Sequence, residues 1–255
     1  MLARIPSFVP SIRQHLFSLE NRAELAYHQC VMIILGVDTS EDYARIALWN
    51  NGSLAGESTT EQRFHHAEGL VPLIEQVLVE TGIEKKQLEL VSVNRGPGSF
   101  TGLRIGLATA KGICQSLQIP LVGIDGTFVC RTQLDDSASV CVLIPNRRNL
   151  LYARWFTGMR PDSEVRVMEI EELLAHLNKK QKDLLVAGSA AGSIRGQLES
   201  IPWIRVAPDK VNQPSATQVA MLGEKYYSQD EIYTLDPQYV ELSVAQITLG
   251  SRGEQ

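Results

Sequence analysis

The stretch LELVSVNRGPGSFTGLRIGLATAKGI, residues 88–113, decides the fold. Its first residues are mainly apolar, which predicts a buried strand. The segment NRGPG (94–98) then ends the strand, because Gly permits backbone angles that other residues resist and Pro cannot donate to the ladder. Ser99 or Thr101 can cap the helix that follows. The stretch therefore predicts a strand, a glycine turn and a helix N-terminus in direct succession, where unpaired N–H groups and the helix dipole favour an anion.

The glycine spacing alone does not identify a ligand. Gly96, Gly98 and Gly102 form G-x-G-x-x-x-G, one residue longer than the dinucleotide-binding fingerprint, and no Gly-Lys-Ser/Thr follows as in a Walker-type loop. A tight turn that needs glycine for steric reasons explains the same spacing, and the spacing by itself favours that interpretation. The candidate residues for a nucleotide or another anion at this turn are Gly96, Gly98, Ser99 and Thr101.

The literal sequence of this turn and helix is far more specific. The string NRGPGSFTGLRIGLATAKG, residues 94–112, closely resembles the bacterial TsaB/YeaZ family, whose members assist in making threonylcarbamoyladenosine on tRNA. The resemblance extends from about Met32 to about Tyr239 and is strongest in the first half. It implies the fold of the superfamily that contains actin, sugar kinases and heat-shock ATPases, although a fold alone implies no activity.

Composition and charge agree with a globular protein of one or two domains. The chain has 255 residues, of which 44% are hydrophobic and 21% charged, which is enough to bury a substantial core. A net charge of −5 supplies no electrostatic footprint for independent nucleic-acid binding. No apolar run reaches the roughly 18 residues of a membrane span. The four cysteines show no metal or disulfide spacing, so a reduced cytoplasm is the expected setting.

The order of predicted elements divides the chain into four parts. Residues 1–31 make a poor secretory signal and precede the family-like region, so we expect a loosely attached extension or a wrongly assigned start. Residues 32–125 and 126–240 each show the order βββαβα, and residues 241–255 form a tail. The repeated order predicts a duplicated βββαβα α/β fold with two subdomains, and the family resemblance implies that this fold is of the actin-like ATPase and ribonuclease H-like type. Such folds commonly place ligands in the cleft between their halves.

Three turns are predicted to line that cleft. Asp38, Thr39 and Ser40 follow the first strand, where the resemblance implies a phosphate motif with an acidic residue that positions a metal or water; an Asx-type turn is the alternative. In the second half, the resemblance implies an Asp at the position that Asn146 occupies here. An Asn side chain holds Mg²⁺ weakly compared with a carboxylate. Gly188 lies where the superfamily contacts adenosine, in a loose match. We therefore expect a degenerate nucleotide cleft with no self-sufficient phosphotransfer site.

Two further motifs give no support to catalysis by this chain. The catalytic paralogue of the family holds its metal partly with His-x-x-x-His, whereas His65 and His66 are adjacent and point about 100° apart on a helix. A polar helix start is the preferred interpretation of the pair. There is also no Gly-x-Ser-x-Gly elbow and no catalytic cysteine context, so a peptidase has no motif support.

The two long helices of the first half carry more apolar and small residues than a one-sided surface helix needs. Packing within the domain explains this as well as docking of another helix, on composition alone. The family resemblance favours docking, because in this family these helices form the interface with the catalytic paralogue. The predicted partner interface consists of Leu70, Leu73, Val77, Gly102, Gly106 and Ala110.

The resemblance implies a non-catalytic scaffold and activator subunit. It would form a heterodimer with the catalytic, metal-bearing TsaD-like paralogue, accept a TsaE-like ATPase on the pair, and meet tRNA only through the complex. No cofactor or metal is expected to be required by this chain, and ATP or ADP at a complex interface is an option. The alternatives are an independent ATPase or kinase that uses Asp38 and the glycine turn, and a homodimer with a separate regulatory role.

Overall fold

The computed structural model describes residues 32–135, 139–227 and 231–240. The predicted extension (1–31) and tail (241–255) lie outside the described residues. Both sheets that follow belong to one structural unit. Among the residues that the structure describes, no helix is long and apolar enough to cross a membrane.

The first sheet has the strand order β3-β2-β1-β4-β5. Its strands are β1 (Ile33–Asp38), β2 (Arg45–Asn50), β3 (Ser53–Thr59), β4 (Leu90–Gly96) and β5 (Leu121–Asp125), and its helices are α1 (His66–Thr81) and α2 (Phe100–Leu117). The first three strands are antiparallel, and β4 and β5 extend the sheet in parallel. Asn51 and Gly52 join β2 to β3 with φ of 53° and 77°, the left-handed angles that a two-residue Asn-Gly hairpin requires.

The second sheet repeats this arrangement. The elements that follow β5 along the chain are α3 (Gly126–Arg131), β6 (Ser139–Pro145), β7 (Leu150–Thr157), β8 (Arg160–Pro161), β9 (Arg166–Glu169), α4 (Ile170–Lys180), β10 (Leu184–Ala187), α5 (Ser189–Ser193), α6 (Arg195–Glu199), β11 (Ile204–Val206) and α7 (Ala216–Tyr226). The order is β11-β10-β6-β7-β8, with β9 also paired to β7. The duplicated α/β fold with the order βββαβα, expected from the element order, is confirmed.

Several elements of the second half are short. β8 and β9 are two short strands that both pair with β7. The helices α5 and α6 are separated at Ile194, whose φ of −115° is not helical. The edge strand β11 was not predicted from the sequence, because a strand of three residues is too short to show a recognisable period.

The helices enclose both faces of the first sheet. α1 and α2 pack on one face, where Leu35 and Val37 belong to their core cluster, and α7 packs on the other with Ile34. Because β1 is buried on both faces, its sequence is a continuous apolar run. α7 thus lies on the first sheet although it comes last in the chain. The approach is close, since a Cβ on Gly36 would lie 2.3 Å from the carbonyl oxygen of Ala216.

Candidate functional site

A cavity of about 1050 Å³ opens between the two halves of the fold. The first half lines it with Ser40, Gly98 and Ser99, and the second half lines it with Asn146 and Ser189. These residues all follow the carboxyl end of a strand, β1 or β4 in the first half and β6 or β10 in the second. The structure therefore brings the three predicted turns together at one cleft, as expected for open α/β sheets.

Asp38 lies beneath the cleft and is fully buried. One carboxylate oxygen, Oδ1, accepts hydrogen bonds from the backbone N–H of Ser40 at 2.9 Å and from its hydroxyl at 2.7 Å. The other oxygen accepts from Nδ2 of Asn94 at 2.9 Å. The Asx-type turn considered as the alternative is therefore formed. In this arrangement Asp38 ties the end of β1 to the end of β4 and presents no oxygen to the cleft.

The glycine turn and α2 rest directly on the turn that follows β1. A Cβ on Gly98 would lie 2.2 Å from the carbonyl oxygen of Ser40, and a Cβ on Gly102 would lie 2.1 Å from that of Thr39. A Cβ on Gly106 would lie 2.1 Å from the hydroxyl oxygen of Thr39. Real Cβ atoms do not approach so closely, so all three glycines serve this internal contact. The steric interpretation of the spacing accounts for them.

The N-terminus of α2 already has protein partners. The hydroxyl of Ser99 caps it by accepting from the backbone N–H of Gly102 at 3.2 Å, and the N–H of Ser99 donates to the carbonyl of Ser40 at 2.7 Å. Gly96 has a φ of 109° and donates its N–H to Oδ1 of Asn94. Thr101, the other capping candidate, is exposed on the first turn of the helix. Groups that an anion would use are therefore committed within the protein.

The second half supplies the opposite wall. Asn146 follows β6, and its side-chain oxygen accepts from the backbone N–H of Arg147 at 2.8 Å. Its Nδ2 has no hydrogen-bond partner among the described residues. Gly188 has a φ of 100°, and a Cβ there would lie 2.2 Å from the carbonyl oxygen of Leu143, so only glycine fits. The match at Gly188 thus reflects close packing of α5 on β6.

Glu41 lies at the cleft and contacts the opposite half of the fold, although its place in the sequence does not indicate this role. Its carboxylate accepts a hydrogen bond from the hydroxyl of Ser189. Burial raises the pKa of Glu41 from 4.5 to about 7, the Ser189 hydrogen bond opposes that rise, and the nearby Asp38 adds to it. A carboxyl group whose pKa is raised to about 7 therefore joins the two halves at the cleft. The two residues are 148 positions apart, so no local pattern reveals the pair.

A second missed feature is an aromatic cluster at the mouth of the cleft. The guanidinium of Arg104 lies 3.7 Å from the ring centroid of Phe100, and its Nε donates to the hydroxyl of Tyr239 at 2.8 Å. The rings of Phe100 and Tyr239 have centroids 5.0 Å apart. The only sequence signal is the i, i+4 spacing of Phe100 and Arg104 on α2. The cluster fastens the segment that ends the described chain to α2.

The two histidines differ in their surroundings. His65 is exposed, with Nδ1 2.9 Å from the carbonyl oxygen of Arg63. His66 begins α1 and is buried, and its Nε2 has no hydrogen-bond partner among the described residues. The expected polar helix start is therefore correct for His65 and needs correction for His66. Within residues 32–135, 139–227 and 231–240, no group of three His, Cys, Asp or Glu side chains is arranged to hold a metal.

The residues predicted to meet a partner lie in the interior of this chain. On α1, the side chains of Leu70, Leu73 and Val77 belong to the core under the first sheet. On α2, Ala110 belongs to the same core, and Gly102 and Gly106 pack on the Thr39 turn. The expectation that these six residues present a face to a partner therefore needs correction. Sequence pattern could not tell which neighbour approaches the small residues, because the Thr39 turn lies more than sixty positions away.

Comparisons with known proteins give a consistent result. The family model described as TsaD, tRNA N6-adenosine threonylcarbamoyltransferase, matches residues 55–195, more than half of the chain. The tRNA threonylcarbamoyladenosine biosynthesis protein TsaB of Escherichia coli (strain K12) is 32% identical over 93 residues, which are 36% of this chain and 40% of that protein. TsaB of Bacillus subtilis (strain 168) is 25% identical over 226 residues, which are 84% of this chain and 96% of that protein.

A solved structure shows the same fold. The crystal structure of an uncharacterized protein with similarity to peptidase YEAZ from Pseudomonas aeruginosa superposes with a TM-score of 0.66 at 21% identity. The superposition covers 82% of this chain and all of that chain. The matched segment of the family model includes the glycine turn, α2 and most of the cleft. The chain therefore belongs to the TsaD family of that model and, within it, to the TsaB/YeaZ proteins.

Proposed function

We propose that this chain is a non-catalytic scaffold and activator subunit of the complex that transfers a threonylcarbamoyl group to the adenosine next to the anticodon of tRNAs. It forms a heterodimer with a catalytic TsaD-like paralogue, and a TsaE-like ATPase docks on the pair. tRNA is met through the complex. The names of the TsaB relatives support the pathway, and the subunit role rests on the site and surface described next.

The hydrogen bonding of the Asp38 carboxylate is the observation that best supports a non-catalytic role. An acidic residue that positions a metal or water must present an oxygen to the cleft, whereas both oxygens of Asp38 accept hydrogen bonds inside the fold. Asn146, which lines the cleft from the second half, carries no negative charge. Glu41 and Ser189 meet across the space between these turns. These three features argue against the rival function, an independent ATPase or kinase.

The outward face of α1 and α2 supports the partner role. We define this face by Pro72 and Val79 on α1 and by Ala108 and Gly112 on α2, which are all exposed. Val79 is 81% exposed. Gly112 lies inside α2, where glycine costs about 1 kcal/mol relative to alanine, yet nothing lies within 4 Å of a Cβ built there. Its small size serves no contact with the part of the chain that the structure describes, which fits a closely approaching partner helix.

We also propose that any ATP or ADP binds in the assembled complex and not to the isolated chain. The cleft has room for ATP or ADP, since sites for ligands of drug size measure about 300–1,000 Å³. A phosphate placed beside Glu41 would meet the negative charge of its carboxylate, which opposes binding to the isolated chain. We therefore propose that the isolated chain needs no cofactor.

The test of the partner role is a pair of matched arginine substitutions. Gly112→Arg places a charge on the outward face, and a charge buried against a partner costs several kcal/mol. Gly196→Arg makes the same change on α6, where a Cβ also meets nothing within 4 Å. Size-exclusion chromatography with the purified TsaD-like paralogue should show heterodimer with Gly196→Arg and none with Gly112→Arg. Both variants should melt like the parent chain. Unchanged binding by a folded Gly112→Arg variant overturns the assignment of this face.

A further inference from the structure

A second cavity, of about 230 Å³, lies in the second half of the fold. It is formed by the end of β7, the C-terminal half of α4, the loop before β9 and the start of β10. None of the residues that line it lines the cleft. The volume is below the about 300–1,000 Å³ of sites for drug-sized ligands, so a small metabolite fits and a nucleotide does not.

The inner wall of this cavity is apolar. Trp155 and Leu177 line it together with Leu184 and Ile204, and all four are buried. The ring of His176 meets the indole of Trp155 edge to face, with centroids 5.3 Å apart. A ligand that enters this space therefore removes apolar or aromatic surface from water.

The rim of the cavity is cationic. Arg166, Lys180 and Lys182 line it, against the carboxylates of Asp162 and Asp183. The hydroxyl of Thr157 donates to Asp162 at 2.8 Å, which partly satisfies that carboxylate.

His176 reports the sign of the local potential. Its pKa is lowered by burial first, then by the positive charges of Lys180 and Arg166 and least by that of Lys179, while Glu172 acts in the opposite direction. The contributions of the three cations show that positive charge surrounds this wall of the cavity, which favours an anion.

Two polar atoms in the wall also lack partners. Nε1 of Trp155 and Oγ of Ser163 are buried and have no hydrogen-bond partner among the described residues. A buried polar atom left in this state costs about 1–3 kcal/mol. Both residues line the cavity, so an acceptor on a bound ligand is a candidate partner for these two donors.

We propose that this cavity binds a small organic anion, a carboxylate or a phosphate monoester on a compact apolar or aromatic body. The anionic group lies at the rim beside Lys180 and Arg166, and the apolar body lies against Trp155. The inference does not depend on the scaffold role, because it concerns a different cavity and different residues.

The experiment is a titration of the full chain with three probes of similar shape: benzoate, phenyl phosphate and benzyl alcohol. The readout is the ¹H–¹⁵N signal of the Trp155 indole, one of three tryptophans, assigned with Trp155→Phe. At least one anion should shift this signal with half-saturation below about 10 mM, and comparison of the two anions separates a carboxylate site from a phosphate site. Lys180→Gln should weaken binding about fivefold, as expected for loss of one partly screened charge.

Lys179→Gln is the matched control. It removes an equal charge from the next position of α4, where the side chain is exposed and does not line the cavity. Lys179 has the smallest of the charge effects on His176, so binding should weaken far less than with Lys180→Gln. Arg166→Gln, on a different element, provides the test again if Lys180→Gln fails to fold by circular dichroism. The proposal is overturned if neither anion produces a saturable shift, if benzyl alcohol binds as tightly, or if Lys179→Gln weakens binding as much as Lys180→Gln.

Discussion

The carboxylate of Glu41, in the turn after β1, accepts a hydrogen bond from the hydroxyl of Ser189 at the start of α5. This contact joins the two halves of the fold on the side where the cleft opens. Glu41 also lies close to Asp38, whose negative charge adds to the effect of burial on its pKa. The charge of the Glu41 carboxylate is therefore expected to set how firmly the two halves are held together.

Glu41 should make stability depend on pH around neutrality. Its pKa of about 7 in the folded chain exceeds the ordinary value of 4.5, so the folded state holds the proton more tightly than the unfolded state. This stabilisation is complete below about pH 4.5 and is lost as pH rises through about 7. For a half-buried group it amounts to about 1–2 kcal/mol after screening.

The measurement is urea unfolding of the parent chain and Glu41→Gln between pH 5 and pH 8. Gln keeps an oxygen for Ser189 and does not titrate, so the parent chain should lose stability relative to Glu41→Gln as pH rises. Glu75→Gln, an exposed change on α1, controls for the loss of one charge. A constant difference between the parent and Glu41→Gln across this range contradicts the prediction.

Two glycines of α2 should respond oppositely to alanine. Gly106→Ala forces a Cβ against the hydroxyl of Thr39, and such overpacking costs about 1–3 kcal/mol. Gly112→Ala places its methyl in open space and removes the poor helix propensity of glycine, a gain of about 0.5–1 kcal/mol. Chemical denaturation of the two variants measures both effects on one helix. Equal effects would mean that the Thr39 turn moves aside easily.

The sequence predicted the elements whose physics is local. The apolar run of β1, the Asn51-Gly52 hairpin and the Ser99 cap each follow from neighbouring residues, and the structure contains all three. The order βββαβα was readable because each element carries its own period.

Contacts between segments that are distant in the sequence could not be predicted from it. The small residues Gly102 and Gly106 indicate a close neighbour. The sequence of α2 does not indicate whether that neighbour is a partner helix or the Thr39 turn of the same chain. Glu41 and Ser189 form their contact only because two strand ends from different halves face each other. The cleft could thus be located from the sequence, while its closing contact could not.

Arg104 should hold the C-terminal described segment on α2. Arg104→Ala removes the stacking on Phe100 and the hydrogen bond to Tyr239, and we expect a loss of about 1 kcal/mol. The amide of Gln238, which donates to the carbonyl of Arg95 at 2.7 Å, should exchange faster with solvent. Hydrogen exchange measures this directly. Lys111→Ala, a charge removal further along α2, should leave the exchange of that amide unchanged.

Asp38 should matter for stability and not for ATP turnover. Asp38→Ala removes the acceptor of Ser40 and Asn94, and buried donors left unpaired cost about 2–4 kcal/mol in total. For a chain of this size that corresponds to a fall in Tm of about 5–15 °C. Asp42→Ala is the control from the same turn, because its ion pair with Arg63 is solvent-exposed and such pairs contribute about 0–1 kcal/mol.

The same samples decide the catalytic question. Phosphate release from ATP should stay at background for the isolated parent chain and for Asp38→Ala, since the Asp38 oxygens are already used by Ser40 and Asn94. The scaffold proposal fails if the parent chain hydrolyses ATP at several turnovers per second and Asp38→Ala abolishes that activity without lowering Tm. An Asp38→Ala variant as stable as the parent would instead show that the buried network does not secure the turn. In that case the Asp38 side chain would be available to the cleft after all.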